Sequence, residues 1–202
     1  MGCILSSLGW QWKDSITHTE PKPLLPTLNL SQQQQELLVD SWRLIKEDIA
    51  KVGVIIFVRL FETHPECKDV FLMFRDVGDL QGLRESKDLR AHALRVLSFV
   101  EKTVARVEHP AQLEQLVLNL GRSHYIYSAP PTYYQYVGTE FISAVRPIFK
   151  DKWTPEVEEV WKRLFTYICT MMERGYEEGQ RKYTDGNYHT TKQQHRKHAT
   201  VV

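Results

Sequence analysis

The sequence predicts an all-α protein of seven or eight helices, and three observations support this prediction. Apolar residues recur three or four positions apart along most of the chain, which is the period of an amphipathic helix. No segment shows the strict alternation of apolar and polar residues that predicts a half-buried strand. Helix-start signals recur. The clearest is Thr154-Pro155-Glu156, with a capping threonine, a proline at the first helical position and an acid in the first turn.

The composition fits one globular domain with additional segments at its ends. The chain has 202 residues, of which 42% are hydrophobic, and this is enough to bury one core. Its formal net charge of +1 gives no reason to expect a nucleic-acid partner. No run of about 18 apolar residues occurs, so the sequence predicts no transmembrane helix. We divide the chain into residues 1–30, a domain at 31–178, and a polar tail at 179–202 that we expect to be disordered.

The three cysteines are too few and too scattered to predict a disulfide framework or a zinc site. The chain begins without a secretory signal, so a reducing compartment is the default expectation. A disulfide between Cys67 and Cys169 stays open, because the sequence does not give the distance between the two residues.

The first residues match the pattern for fatty acylation. Gly2 and Ser6 fit N-myristoylation once Met1 is removed, and Cys3 beside Gly2 is a candidate for palmitoylation. One myristoyl chain binds membranes only marginally, so Cys3 would supply the second signal that lasting attachment needs. Residues 1–30 are therefore predicted to be an acylated anchor and an extended, proline-containing linker at the cytoplasmic face of the plasma membrane. The alternative is an unmodified start that matches by chance.

The first half of the domain contains two predicted helices and two shorter segments. The first helix opens at Ser31, which forms a capping-box pattern with the glutamine three positions later. The second covers residues 52–61 and ends near His64-Pro65, because a residue before proline disfavours the helical conformation. Residues 67–75 predict a short, tight segment, and the polar residues 76–86 predict a loop.

Two later helices each carry a histidine on an apolar face. His92 accompanies the stripe Leu89, Ala93, Val96, Val100 and Val104, and His124 closes the stripe Leu113, Leu116 and Leu120. Two inward imidazoles that face each other across an apolar gap are the arrangement needed to bind a metal ion, held in a planar group, from both of its faces. The alternative for each is a core histidine satisfied by a backbone carbonyl.

The last two helices are predicted to begin near Pro130-Pro131 and at Pro155. The inward residues of the first are predicted to be Tyr134, Val137, Phe141, Val145 and Ile148. Those of the second are Val157, Trp161, Leu164, Ile168 and Met171.

Several of these residues, in this order, resemble the globin family. They are Trp42, Phe57-x-x-Leu60-Phe61, Pro65, Phe71, His92-x-x-x-Val96 and Leu120-x-x-x-His124. The resemblance covers about residues 31–178, and with the N-terminal signal it is closest to membrane-associated globins that are similar to neuroglobin. Tyr134 departs from the pattern, since many globins have phenylalanine at this position.

The resemblance implies a globin fold around a pocket for haem b. It makes His124 the proximal ligand and His92 the distal ligand of the iron. The further residues that it assigns to the cofactor are Phe57, Phe71, Arg95, Val96, Leu120, Tyr134 and Val137. We expect the second ring nitrogen of His124 to donate to the Leu120 carbonyl or to Ser123. Arg95 is expected to pair with a haem propionate, and a solvated side chain is the alternative.

The resemblance also favours six-coordinate iron with His92 bound. It implies a protein that binds dioxygen or nitric oxide and acts in redox, electron-transfer or signalling roles. One alternative is a dioxygen carrier or store with an open sixth site. Another is an enzyme, either a nitrite reductase or a nitric oxide dioxygenase. Such an enzyme would need an external reductase, because the sequence contains no flavin or nicotinamide motif. The third is a haem-free helical module with both histidines in its core.

Overall fold

The computed structural model describes residues 27–71, 74 and 77–184. The predicted acylation of Gly2 and Cys3 and the predictions for residues beyond 184 lie outside these residues. The described part of the chain contains seven α-helices, three short 3-10 helices and no strand, which confirms the all-α prediction. The α-helices are α1 (Gln32–Lys46), α2 (Ile49–Thr63), α3 (Leu80–Glu85), α4 (Lys87–Val104), α5 (Pro110–Ile126), α6 (Tyr134–Phe149) and α7 (Pro155–Thr184). The 3-10 helices are Pro65–Val70, Pro131–Tyr133 and Lys150–Lys152.

The start of α1 follows the predicted capping box. The Ser31 hydroxyl accepts the backbone N–H of Gln34 at 3.3 Å, and the Gln34 side chain accepts the backbone N–H of Ser31 at 3.0 Å. Trp42 is buried, with its ring centroid 6.3 Å from that of Trp161 on α7. The first helix is therefore held to the last by its apolar face.

The second helix is longer than predicted, since it begins at Ile49 and ends at Thr63. Its buried residues include Val52, Ile56 and Leu60, which lie on one face. As predicted, the chain leaves the helix at His64, and Pro65 opens a 3-10 helix. This helix carries Phe57 and packs against α4 and α6.

The loop predicted at 76–86 is wrong, because this stretch contains α3. The carboxylate of Asp79 accepts the backbone N–H of Gly82 at 2.6 Å and caps the helix. Leu83 is completely buried. Apolar contacts of Leu83, Leu80 and Val77 with the core and one cap therefore stabilise this short helix in a segment whose other residues are polar or glycine.

The long helix α7 packs along α5, and two glycines permit the close contact. A methyl group on Gly121 would overlap the backbone carbonyl of Met172, and one on Gly175 would overlap the carbonyl of Leu118. The two helices therefore meet backbone to backbone near His124. Helix α7 runs past the predicted domain end at residue 178 and continues through Thr184, where Tyr183 packs on the ring of Tyr125.

The inward face of α6 differs from the prediction at one position. Tyr134, Phe141 and Val145 are buried, but Ile148 is 42% exposed, and Phe149 is buried in its place. Residues three and four positions after Val145 both lie near its face of the helix. Of these two, Phe149, four positions after Val145, packs into the core.

Two further expectations concern the cysteines and the membrane. Cys67 and Cys169 are free thiols, the first buried and the second half-buried, so they do not form a disulfide. Among the described residues, no helix has both the length and the apolar character needed to cross a membrane.

Candidate functional site

His124 lies near the end of α5 with its ring orientation fixed by its own helix. Its Nδ1 lies 2.9 Å from the carbonyl oxygen of Leu120, one turn earlier. Since a carbonyl can only accept, Nδ1 carries the proton, and the lone pair of the neutral ring is on Nε2. The Ser123 hydroxyl donates instead to the carbonyl of Asn119. Of the two acceptors expected for His124, the structure therefore selects Leu120.

Burial keeps the His124 imidazole neutral. Desolvation lowers its pKa from the ordinary value of 6.5, and the hydrogen bond to Leu120 opposes this shift only in part. A neutral imidazole is the form that binds a metal ion. This histidine is therefore prepared for ligation on its Nε2 side.

His92 lies on α4 among aromatic rings. Its ring centroid is 5.0 Å from that of Phe57 and 5.2 Å from that of Phe71, and both pairs are edge-to-face, with interplanar angles of 81°. Burial, and to a smaller extent the charges of Arg95 and His124, lower the pKa of His92 to about 4. The two histidines are thus near enough for a charge on one to disfavour a charge on the other.

Tyr134 belongs to the His124 side of this site. Its ring centroid is 5.4 Å from that of His124 in an edge-to-face arrangement, and its hydroxyl donates to the carbonyl of Ala129 at 3.0 Å. The tyrosine that departs from the globin pattern therefore ties the α5–α6 connection to the histidine. No contact in the described chain identifies the expected partner of Arg95, whose side chain is exposed.

Three other residues assigned to the cofactor are less buried than the core. Val96, Leu120 and Val137 are partly buried and pack against the core. Val96 follows His92 by one turn of α4, and Leu120 precedes His124 by one turn of α5.

Two phenylalanines that the sequence analysis did not assign to the site extend its aromatic lining. Phe61 lies 5.4 Å from Phe71, and Phe74 lies 6.0 Å from Phe71 and 6.3 Å from His92, measured between ring centroids. Both are buried. The spacing could have indicated them, because Phe61 follows Phe57 by one helical turn on the same face of α2.

The comparison with known protein families decides the classification. The globin family profile matches residues 54–172, which include both histidines. The chain belongs to the globin family. It is 26% identical over 150 residues to cytoglobin-1 of Oryzias latipes, covering 74% of this chain and 85% of that protein. It is 26% identical over 147 residues to neuroglobin of Tetraodon nigroviridis, covering 73% of this globin and 92% of that protein.

A solved structure shows the same fold. This globin aligns with a hexacoordinated haem protein from an anhydrobiotic tardigrade with a TM-score of 0.69 and 20% sequence identity. The alignment covers 74% of this chain and 97% of that protein. At this identity the likeness establishes the globin fold.

Globins are haem proteins, and the residues of this pocket fit the group. Iron in a porphyrin takes nitrogen ligands from neutral imidazoles, and burial keeps both His92 and His124 in that form. The orientation of His124 leaves Nε2 as its ligating atom. Phe57 and Phe71 supply the apolar surface that a porphyrin face requires.

Proposed function

We propose that this globin binds haem b between α4 and α5, with His124 and His92 as the two protein ligands of a six-coordinate iron. The observation that carries the proposal is the placement of two histidines on separate helices, with the His124 ring fixed by the Leu120 carbonyl and the His92 ring set among Phe57 and Phe71. Haem in this site supplies an iron that binds dioxygen or nitric oxide and exchanges one electron at a time. Because His92 occupies the sixth position of the iron, redox or signalling roles are favoured over bulk dioxygen transport.

The protein residues define how the site would work. The Leu120 carbonyl fixes the tautomer and rotation of His124 and so makes it the permanent ligand. The ring of His92 contacts aromatic rings, and among the described residues no hydrogen bond fixes it, so His92 is the ligand that can move. An external ligand therefore competes with His92, and electrons would come from a separate reductase.

Replacing His92 with leucine should strengthen the binding of an external ligand. In the wild type, the apparent affinity is reduced by the fraction of molecules in which His92 has left the site. We expect the affinity of the reduced protein for carbon monoxide to rise about tenfold or more, which corresponds to an open fraction of about one tenth or less in the wild type. The measurement is a carbon monoxide titration followed by absorption.

The exposed His109 at the start of α5 provides the matched control. His109→Leu should leave the carbon monoxide affinity unchanged. Equal affinities for the wild type and His92→Leu would show that His92 does not compete for the sixth position. The open-site alternative would then replace the six-coordinate assignment.

We also propose that the protein is tethered to the inner face of a membrane through myristoyl-Gly2 and palmitoyl-Cys3. The support is the sequence pattern Met1-Gly2-Cys3 with Ser6, because a myristoyl chain needs a second acyl chain for lasting attachment. Together with the globin domain, this pattern resembles globin X, a membrane-associated branch of the family.

Replacing Gly2 with alanine should move the protein from the membrane fraction to the soluble fraction of cells. Myristate is attached to the amine of an N-terminal glycine, so the alanine variant is not myristoylated, and Cys3 then lacks the first membrane contact that brings it to the bilayer. Fractionation and labelling with a myristate analogue measure both effects, and Ser7→Ala is the matched control. Full retention of Gly2→Ala on membranes would reject the tether.

A further inference from the structure

The outer face of α2 is apolar, although the outer face of a surface helix is usually polar. Val54 and Ile55 lie on the side of the helix opposite the buried Ile56, and both are only half-buried. Ala50, one turn before Val54, is half-buried as well. A helix that is apolar on its outer side as well as on its core side normally packs against a further partner there.

A cavity of about 700 Å³ lies over this outer face of α2. The apolar residues that line it are Ala50, Val54, Ile55 and Val58. Arg84 near the end of α3 and Arg90 in the first turn of α4 line it from the neighbouring elements. We call this cavity the α2 groove, and its volume lies in the range of ligand-binding pockets.

The shape and charge of the α2 groove suit a single acyl chain. It is lined from Asp48 to Glu62 and therefore follows about 20 Å of α2. Two of its four basic residues already pair with carboxylates, Lys51 with Asp48 and Arg59 with Glu140. The two arginines from α3 and α4 can pack the methylene stems of their side chains on a hydrocarbon chain. The apolar floor is therefore the feature that a ligand would use.

The sequence before α1 is long enough to reach the α2 groove. About 25 residues connect Gly2 to Thr27, and a chain of this length spans up to about 80 Å when it is extended. The chain just before α1 is fastened to α7, since the Arg163 guanidinium donates to the carbonyl of Asn29. From there α1 covers about 20 Å to the start of α2, where the groove begins at Asp48. The available length therefore exceeds the distance.

We propose that the α2 groove binds the myristoyl chain of Gly2 when the protein is not on a membrane. The proposal rests on the N-terminal acylation proposed above and is independent of haem. Palmitoylation of cysteine is reversible, so removal of the palmitoyl group from Cys3 leaves the myristoyl chain as the single lipid anchor. One myristoyl chain binds membranes only marginally, so a groove that buries part of it competes with the bilayer. The palmitoylated protein then stays on the membrane, and the depalmitoylated protein withdraws its myristoyl chain into the groove.

The first test maps the position of the acyl chain in the wild-type protein. Full-length, haem-loaded protein is produced with an N-myristoyltransferase and a photoreactive myristate analogue, and mass spectrometry establishes that Gly2 carries the analogue. After illumination without lipid, peptide mapping locates the cross-links. We expect them on Ala50, Val54 or Ile55. Cross-links confined to residues outside the α2 groove, or cross-links that join two copies of the chain, would overturn the proposal.

The second test fills the groove with a side chain. Val54→Trp places a large ring over the apolar floor, so the myristoyl chain is displaced and becomes available to a bilayer. We expect the affinity of the myristoylated protein for phosphatidylcholine vesicles to rise about threefold or more, which corresponds to an exposed fraction of about one third or less in the wild type. The measurement is sedimentation with vesicles. Cross-link mapping in the wild type needs no variant, so the proposal stays testable however Val54→Trp folds.

Two controls make the vesicle measurement specific. Val54→Trp in the Gly2→Ala background measures any direct effect of the tryptophan on vesicle binding. Ile148→Trp changes an apolar residue that is 42% exposed and outside the α2 groove, and it should leave the affinity unchanged. Equal affinities for the myristoylated wild type and Val54→Trp would overturn the docking and leave the tether intact. Failure of the transferase to attach myristate to Gly2 would reject the tether, and the docking with it.

Discussion

His124→Leu should give a folded helical protein that retains no haem. Of the two proposed ligands, His124 is the one whose ring is oriented by a contact with a backbone carbonyl, and leucine provides no metal-binding atom. His92 alone would have to hold the iron, and its ring contacts are with phenylalanines. The measurement is the haem content of the purified variant, with circular dichroism to confirm that the helices remain.

The control for this prediction is His109→Leu, which replaces an exposed histidine on the same helix. It should purify with the haem content of the wild type. If His124→Leu keeps a full complement of haem with an unchanged spectrum, the proximal ligand is a different residue. The pocket described here would then be placed incorrectly.

Gly175→Ala should reduce stability more than any surface substitution. The added methyl group would overlap the backbone carbonyl of Leu118 and would lie 3.1 Å from the Cα of Gly121. Backbone atoms on both helices cannot move aside as a flexible side chain could, so α5 and α7 must separate. Overpacking of this kind costs about 3 kcal/mol or more, whereas alanine gains about 1 kcal/mol over glycine in a helix. The net loss should be about 2 kcal/mol or more, measured by urea unfolding.

Gly78→Ala is the matched control, because a Cβ atom at this position meets no other atom within 4 Å. Its effect on the free energy of unfolding should stay within about 1 kcal/mol. An unchanged unfolding midpoint for Gly175→Ala would show that α5 and α7 are farther apart than described. Such a separation would also affect His124, which lies one turn after Gly121 on α5.

The helical period was sufficient to predict most of the fold. The stripe that accompanies His92 became the inner face of α4, and the capping box at Ser31 marks the start of α1. On α5 only Leu113 of the predicted stripe is buried, and Val117 and Leu118 complete its core side. These features depend on residues within a few positions of one another. Local sequence is therefore enough to predict where these helices start and which faces they bury.

The errors arose where distant contacts decide the structure. The short helix α3 depends on the burial of Leu83, with Leu80 packed against the core, in a segment whose many polar residues and two glycines favoured a loop. The end of α7 reads as a polar tail, but Tyr183 is held by Tyr125 on another helix. The choice of Phe149 over Ile148 on α6 likewise depends on what lies opposite. None of these contacts leaves a periodic pattern in the sequence.

The candidate site was only partly predictable for the same reason. The sequence could propose the two histidines, Phe57 and Phe71, because their spacing and order carry the resemblance to globins. It could not select Leu120 over Ser123 as the acceptor for His124, since both lie within about one helical turn of His124 in the sequence, and the structure shows Ser123 bonded to Asn119. It also gave no indication that Phe74 lies beside His92, because the two residues come from separate segments.

The most direct test of the central claim is the visible absorption spectrum of the purified protein, reduced and without added ligand. Iron held by both His92 and His124 should give sharp, well-resolved bands of the six-coordinate, low-spin form. A single broad band would contradict the account, because it would show an open sixth position and a His92 that does not bind.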